Sequence, residues 1–520
     1  MLIMVLILFL IIAIMNTLFK SKSSYDLDKL CISRGLNFSK LMENASKSAF
    51  LKIDEKVIPN LKNFNKKILI LCGPGNNGGD GILIANLFKN KGYKVDVSSP
   101  VTSISKIYKL QKKLFGSVII DFLKFKNLKL NRYSLIIDSI YGVGLNRNFT
   151  SKTIKIIKEI NKSKACKVSI DIASGINADN GELMPVSIKA DHTITFVAPK
   201  IGQYLLPGKI NSGKIHVVSI GEKKSEILKV SKSLKIKFNT PDLWIKNFIW
   251  PSMNDHKYKR GHVLVRSGPI VSTGASRLAS ISALRSGAGA VTLASDNNSL
   301  QVNASHLTAV MLKEINTADE FFNFAKQKKI NTLIIGPGNG VNERTKKLVI
   351  RAIKEEFALI LDADGLTSFE KNPKQLFDVL KKRKKRGNVI LTPHEGEFNR
   401  LFNFGNMDKI EKTTKASNIT NSTILFKGND TVISSPKKIS LISKDSSSFL
   451  STAGSGDILA GICGGLIAQG MKSHDAAAAA SWLHNEIALE AGPGLIAEDM
   501  SNVLSRIMSK KLKSIYQKFN

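Results

Sequence analysis

Residues 67–81, KILILCGPGNNGGDG, decide how the chain folds. A strand-length apolar run ends in Gly73, Gly75 and Gly78, the spacing of a G-x-G-x-x-G turn, and helix-forming residues follow. Such a strand, turn and helix aim backbone N–H groups and the positive helix end at one point, where phosphate can sit. Asp96, on the next strand, stands near the place where a Rossmann-like fold sets an acid on a ribose hydroxyl. Two features oppose an ordinary phosphate cradle: Pro74 lies inside the turn, and Asn76, Asn77 and Asp80 crowd it with polar side chains. Carboxamides and a carboxylate there suit a cation or a polar substrate, or they cap the helix.

Outward from this stretch, segments of helix and strand character alternate over residues 24–221, with strands in KILILC, YKVDVSS, YSLIIDSIYG, CKVSIDIASG and HTITFVAPK. Continuous apolar strands alternating with helices predict a parallel sheet covered on both faces, a doubly wound α/β domain. Over residues 222–254 this rhythm fades into charges, isolated apolar residues, Pro241 and Pro251, which reads as a linker. It resumes over residues 255–510 in GHVLVRSG, AVTLAS, NTLIIGPGNG, FALILDADG, NVILTPHEGE and STILFKGNDTVI, a second α/β domain.

DSIYGVGLNR (138–147) and DIASG (171–175) each bring an acid to the carboxyl end of a buried strand, the edge where open α/β sheets bind ligands. With LMENA (41–45) and GPGNNGGDG (73–81), these motifs resemble the NAD(P)H-hydrate epimerases in order and spacing. The resemblance implies that Asn76, Asn77, Gly78, Gly79 and Asp80, with Gly142, Val143, Gly144, Leu145, Asn146, Arg147 and Asn148, hold a hydrated dinucleotide. It implies Asp171 at the reacting ring as catalytic and substrate-binding residue, and Asn77, Asp138 and Ser174 as ligands of a potassium ion. Oxygen donors suit such a hard cation. Ala173 departs from the family's usual proline, which bears on loop rigidity.

In TAGSGDILAG (452–461), Gly454 and Gly456 form a turn before a helix with Asp457 in its first turn. Amides there can surround a developing phosphate charge while the carboxylate accepts a proton from an attacking hydroxyl; Ser455 or Asp457 can also serve as a helix cap. The motif resembles the anion hole and base of ribokinase-like kinases. With GASRLASISALRSGAG (274–289), GPGNG (336–340), LDADGL (361–366), LTPHEGEF (391–398), LFKGNDTVI (425–433) and AEDM (497–500), it is similar to the ADP- or ATP-dependent NAD(P)H-hydrate dehydratases. That implies a ribokinase-like domain in which Gly274, Ala275, Gly338, His394 and Asp457 contact the hydrate, with Asp457 catalytic. Lys427, Gly428, Asn429, Asp430, Thr431, Gly454, Ser455 and Gly456 would line the adenine nucleotide, and Glu397 would position a magnesium ion through water. Tyr258, Arg266, Ser267 and Asn339 depart from the family pattern, so the substrate pocket differs more than the phosphate end.

The resemblances together imply a bifunctional repair enzyme: one domain interconverts the R and S hydrates, the other dehydrates the S form to NAD(P)H using ADP or ATP. A homo-oligomer is expected. The alternative within enzymes is a ribokinase-like small-molecule kinase with an amino-terminal nucleotide-binding domain, and the alternative outside them is a basic nucleic-acid-binding protein.

Bulk properties bound these readings. The 520 residues exceed one ordinary domain. Lys+Arg 77 against Asp+Glu 41 gives a net charge of +36, which favours polyanions such as a phosphate-rich small molecule or nucleic acid. The lysines are spread along the whole chain, and KKRKKR (381–386) has no interleaved aromatics for base stacking, so no nucleic-acid partner is expected. Cys31, Cys72, Cys166 and Cys463 have neither C-x-x-C nor zinc spacing, consistent with small apolar residues in a reduced, cytoplasmic compartment. Residues 1–19, MLIMVLILFLIIAIMNTLF, carry no charge over nearly a bilayer's span and read either as a membrane anchor with the rest of the chain on the cytoplasmic side, or as an extension upstream of a start at Met15.

Overall fold

β1 (Lys67–Cys72) shows how the first sheet is buried on both faces. Ile68 and Ile70 belong to one apolar cluster and Leu69 and Leu71 to another, so alternate residues of one strand feed two cores. The first core is closed by the helices Phe38–Lys56 and Asn76–Asn90, the second by the helix Ser151–Lys162.

In the computed structural model, which describes residues 16–62, 64–254, 256–383 and 388–519, the chain divides into two compact units, Met1–Leu234 and Lys235–Asn520. The first carries β1, β2 (Lys94–Ser98), β3 (Leu135–Ser139), β4 (Cys166–Ile170), β5 (His192–Phe196) and β6 (Lys214–Val218). All pairings are parallel, in the order β2-β1-β3-β4-β5-β6. The order reverses between β1 and β3, and the loops leaving these two strands diverge there. This is the doubly wound domain expected from the strand pattern.

The second unit carries β7 (Ile236–Phe238), β8 (His262–Arg266), β9 (Ala290–Ser295), β10 (Met311–Glu314), β11 (Thr332–Ile335), β12 (Ala358–Leu361), β13 (Val389–Leu391), β14 (Thr423–Phe426), β15 (Val432–Ser434) and β16 (Ser440–Ile442). Its order is β10-β9-β8-β11-β12-β13-β14-β15-β16-β7, parallel except where β15 pairs with β14 and β16. Here too alternate strand residues supply two cores, Val263 and Val265 on one face and Leu264 on the other. The helices Thr273–Arg285 and Ser455–Ala468 pack at backbone contact. A Cβ on Gly461 would lie 1.9 Å from Ser282 Oγ and 2.2 Å from the Ala279 carbonyl oxygen. Glycines on that face set how Asp457 stands relative to the Ala275 end of its neighbour.

One expectation is revised and another is only partly covered. Residues 222–254 are not a bare linker. The helix Lys224–Ser231 packs on the first unit through buried Ile227 and Val230, with an Arg34–Glu226 ion pair at 2.7 Å, and β7 adds an edge strand to the second sheet. Of the apolar segment 1–19, residues 1–15 lie outside the described residues, and the rest belongs to the first unit. Leu18 and Phe19 are buried, and Phe19 donates its N–H to the Pro199 carbonyl and accepts from Ile201 N. Among the described residues, no helix is long and apolar enough to cross a membrane. The cysteines Cys31, Cys72 and Cys463 are buried, and all four are unpaired.

Candidate functional site

In the first unit a cavity of about 440 Å³ opens at the reversal between β1 and β3. The turn after β1 reaches it by close backbone approach: a Cβ on Gly78 would lie 1.9 Å from the Gly73 carbonyl oxygen, and one on Gly73 1.8 Å from that of Ile140. Pro74, Asn76, Asn77 and Asp80 line the cavity from this side, residues 142–147 from the β3 loop, and Asp171 from the end of β4. Gly78, Gly79 and Asn148 stand outside the lining. Asp96 is not part of it either; its carboxylate accepts from Tyr133 Oη at 2.7 Å and pairs with Lys67 at 3.2 Å.

The capping explanation for the asparagines does not hold. The N-cap of the helix Asn76–Asn90 is Gly75, with no side-chain cap bond. The Asn77 carboxamide is buried with neither Oδ1 nor Nδ2 hydrogen-bonded. Beneath the cavity floor the Asp138 carboxylate accepts from Ser169 Oγ at 2.8 Å, Ser174 N at 2.8 Å and Ser174 Oγ at 2.6 Å. Burial nevertheless raises Asp138 against these hydrogen bonds.

Asp171 sits at φ +66°, a left-handed conformation uncommon for a side-chain-bearing residue. Its carbonyl accepts from Gln203 Nε2 at 2.8 Å, and its Oδ1 pairs with Lys200 Nζ at 2.6 Å. Lys200 is held in turn by Thr195 Oγ1 at 2.9 Å and the Phe196 carbonyl at 3.0 Å. Around this pair the carboxyls of Asp28 and Asp80 are pushed up, first by burial and then by the Asp171 charge, Asp28 to about 6. Tyr25, also lining the cavity, is raised by burial, then by the charges of Asp171 and Asp28. Lys200, Asp28 and Tyr25 went unread in the sequence. Lys200 follows β5, while Tyr25 and Asp28 sit on the helix Ser21–Ser33, which no motif ties to the strand ends.

In the second unit the helix Ser455–Ala468 begins after Gly454 with no side-chain cap, so neither Ser455 nor Asp457 caps it. Ser455 Oγ is instead 2.9 Å from His484 Nε2. Burial, then the carboxylate of Asp362, pushes Asp457 up to about 7, with Lys427 opposing. Lys427 Nζ lies 2.7 Å from Asp362 Oδ1 and 3.8 Å from Glu397 Oε2. Burial works against this ammonium, yet the Asp362 and Glu397 charges outweigh it and hold Lys427 above its ordinary value. A Cβ on Gly456 would meet Lys427 Nζ at 3.4 Å, so the glycine turn and the lysine are neighbours.

The remaining expected residues fall into two groups. Gly338 and Ala275 come together, a Cβ on Gly338 standing 3.3 Å from that of Ala275, while a Cβ on Gly274 would meet Arg277 Nη2 at 4.0 Å. Gly428 and Thr431 close a tight turn, with Thr431 Oγ1 donating to the Gly428 carbonyl at 2.6 Å, and Asp430 is paired with Lys409. Asn429 lies in the same turn. His394 is the N-cap of the helix Glu395–Leu401. Its Nδ1 accepts from Gly396 N at 2.9 Å, which puts the proton of the neutral ring on Nε2, 3.4 Å from Glu397 Oε1. Glu397 is buried and accepts from His394 N at 2.8 Å.

Comparison with known proteins agrees with this division. The NAD(P)H-hydrate dehydratase family model matches residues 263–510, and that of the YjeF-related protein N-terminus matches residues 39–202. The bifunctional NAD(P)H-hydrate repair enzyme Nnr of Dictyoglomus turgidum is 31% identical over 494 residues, covering 89% of this chain and 92% of that protein. The Nnr of Coxiella burnetii is 28% identical, covering 94% and 98%. Among solved structures, the ADP/ATP-dependent NAD(P)H-hydrate dehydratase from Bacillus subtilis co-crystallised with ATP/Mg2+ is similar at a TM-score of 0.44 and 24% identity, over 52% of this chain and 98% of that one. With identity above 30% across nearly the whole length of a curated relative, the chain belongs to the family of bifunctional NAD(P)H-hydrate repair enzymes.

Proposed function

We propose that the first unit interconverts the R and S hydrates of NADH and NADPH, and that the second returns the S hydrate to NAD(P)H at the expense of ADP or ATP. The observation that carries this reading is that two chemically different carboxylates, the lysine-paired Asp171 and the proton-avid Asp457, stand at the carboxyl edges of two separate sheets. A kinase with a passive nucleotide-binding domain gives no reason for the first of them.

In the first unit the hydrated ring lies against Asp171. Carbon 6 carries both the hydroxyl and the ring nitrogen, so the hydroxyl can leave through an iminium and return on the other face. Asp171, fixed by Lys200, relays the proton; burial and its charge make Asp28 and Asp80 beside it bind protons more tightly. The buried, unbonded Asn77 carboxamide together with Asp138 and Ser174 fits a potassium ion. Bound there, the ion would supply positive charge under the loops that hold the dinucleotide.

In the second unit Asp457 takes the proton of the hydrate's hydroxyl as that oxygen attacks the terminal phosphoryl group. The first-turn amides of the helix Ser455–Ala468 face the developing charge, and Lys427 with residues 428–431 holds the nucleotide. Phosphate then leaves with a push from the ring nitrogen, and loss of the carbon 5 proton restores the dihydronicotinamide. Among the described residues no cluster of three acids or histidines chelates a metal directly. Magnesium at this site would therefore be held mainly through nucleotide phosphates and water, with Glu397 behind the water, as its reluctance to dehydrate favours.

Turnover of separated hydrate epimers tests the reading. Recovered ring absorbance with free phosphate supports a dehydratase, whereas a stable phosphorylated product indicates a kinase.

A further inference from the structure

β8 and β11 are neighbours in the second sheet, with β9 and β10 on one side and β12 onward on the other. That reversal opens a crevice at the carboxyl ends of the strands, the place where such sheets take ligands. A second cavity of about 170 Å³ lies here, walled by Arg266 at the end of β8, Asn339 after β11, and Arg344 in the first turn of the helix Glu343–Lys354. It is smaller than an ordinary small-molecule pocket, and its size suits one ionic group of a larger ligand.

Arg266 is the feature that asks for a ligand. It is 9% exposed, and among the described residues its guanidinium makes one hydrogen bond, from Nη1 to the Ile315 carbonyl at 2.8 Å. The rest of its five-donor fork has no protein acceptor there, although buried guanidinium groups are ordinarily paired. Asp296, the one carboxylate lining the cavity, spends its Oδ1 on Ser299 N and the Ser299 hydroxyl, and makes no ion pair with Arg266. Burial, then the charge of Arg344 opposite, depresses Arg266 to about 10, with the nearby Asp296 charge opposing. An anion between the two arginines would offset both effects.

The cavity also adjoins the expected hydrate contacts. Asn339 Nδ2 donates to the Arg266 carbonyl at 2.8 Å while its Oδ1 accepts from Gly336 N at 2.8 Å, tying the end of β8 to the 336–340 loop. In that loop the Gly338 carbonyl accepts from Ser272 Oγ at 2.7 Å, one helical turn before Ala275.

We propose that Arg266 and Arg344 form an anion subsite that takes a phosphate group of the hydrated dinucleotide. The arginine fork matches phosphate oxygens in pairs. This rests on the dehydratase reading for the identity of the ligand, not for the existence of the site. Two phosphates qualify: the pyrophosphate bridge, common to both hydrates, and the 2′-phosphate, present only in NADPH hydrate.

The test measures kcat and KM for both hydrates with the wild type, Arg266→Ile and Arg344→Ala, and separately the calorimetric binding of pyrophosphate and of adenosine 2′-monophosphate. Loss of the buried fork should raise KM about tenfold or more with kcat within about twofold. A rise confined to NADPH hydrate, with lost binding of the 2′-monophosphate, assigns the 2′-phosphate; an equal rise for both, with lost pyrophosphate binding, assigns the bridge. Unchanged KM values and probe binding in Arg266→Ile overturn the proposal. Should that variant not fold, the exposed Arg344→Ala decides alone: weaker probe binding supports the site and wild-type binding overturns it. If the wild type dehydrates neither hydrate yet binds a probe through Arg266, the subsite stands and the dehydratase reading falls.

Discussion

Lys200 Nζ lies 2.6 Å from Asp171 Oδ1, and the lysine side chain is 1% exposed. Removing one partner of such a pair leaves the other charge buried and unmatched, which costs about 3–5 kcal/mol. Lys200→Met should therefore lower the unfolding midpoint of the first unit and abolish epimerisation, whereas Asp171→Asn should abolish epimerisation and leave dehydration of the S hydrate intact. Calorimetry with separate epimerase and dehydratase assays reads both effects.

The Asn77 carboxamide, buried without a hydrogen bond, should make the first unit sensitive to monovalent cation. Exchanging potassium for tetramethylammonium should slow epimerisation and lower the first unit's thermal midpoint, leaving dehydration unchanged. In Asn77→Ala, which removes the carboxamide oxygen, the potassium response should disappear.

Asp457, raised to about 7 by burial and the Asp362 charge, gives the dehydratase a pH signature. As a proton acceptor it must be ionised, so the rate should climb as pH rises through about 7. Stability runs the opposite way. A raised carboxyl holds its proton more tightly in the folded state, so its contribution is present below the unfolded value near 3.8 and is lost as pH rises through about 7. Asp457→Asn should abolish dehydration and stabilise the second unit at pH 8, by on the order of 2–4 kcal/mol, but not at pH 4.

Phe19, buried and bonded through its backbone on both sides of Lys200, belongs to the active fold of the first unit. Phe19→Ala should cost about 3–5 kcal/mol and reduce epimerisation. A chain beginning at Met15 should keep both activities. Urea titration and the epimerase assay check both expectations.

The sheets were legible where strands are continuously apolar, as in KILILC and TLII, because burial on both faces leaves no other pattern. Edge strands were not: MLKE in β10 is mostly exposed and IKF in β7 is three residues long, so neither carries a period, and the latter was absorbed into the expected linker. Motif glycines and acids marked both sites because close backbone approach and buried charge constrain residue type locally. Asp28 and Lys200 escaped because tertiary packing alone brings them to Asp171 from helix and loop positions more than 25 residues away. At the end of the apolar segment 1–19, Leu18 and Phe19 are buried in the first unit, because hydropathy does not distinguish lipid from a protein core; residues 1–15 lie outside the described residues.

The most direct measurement gives the purified protein mixed R and S hydrates with magnesium, potassium and ADP or ATP, and follows reduced-ring absorbance together with released phosphate. The account predicts complete recovery of NAD(P)H with one phosphate per ring, and recovery of only the S fraction in Asp171→Asn. No recovery from either epimer with any nucleotide, or full recovery in Asp457→Asn, would contradict it.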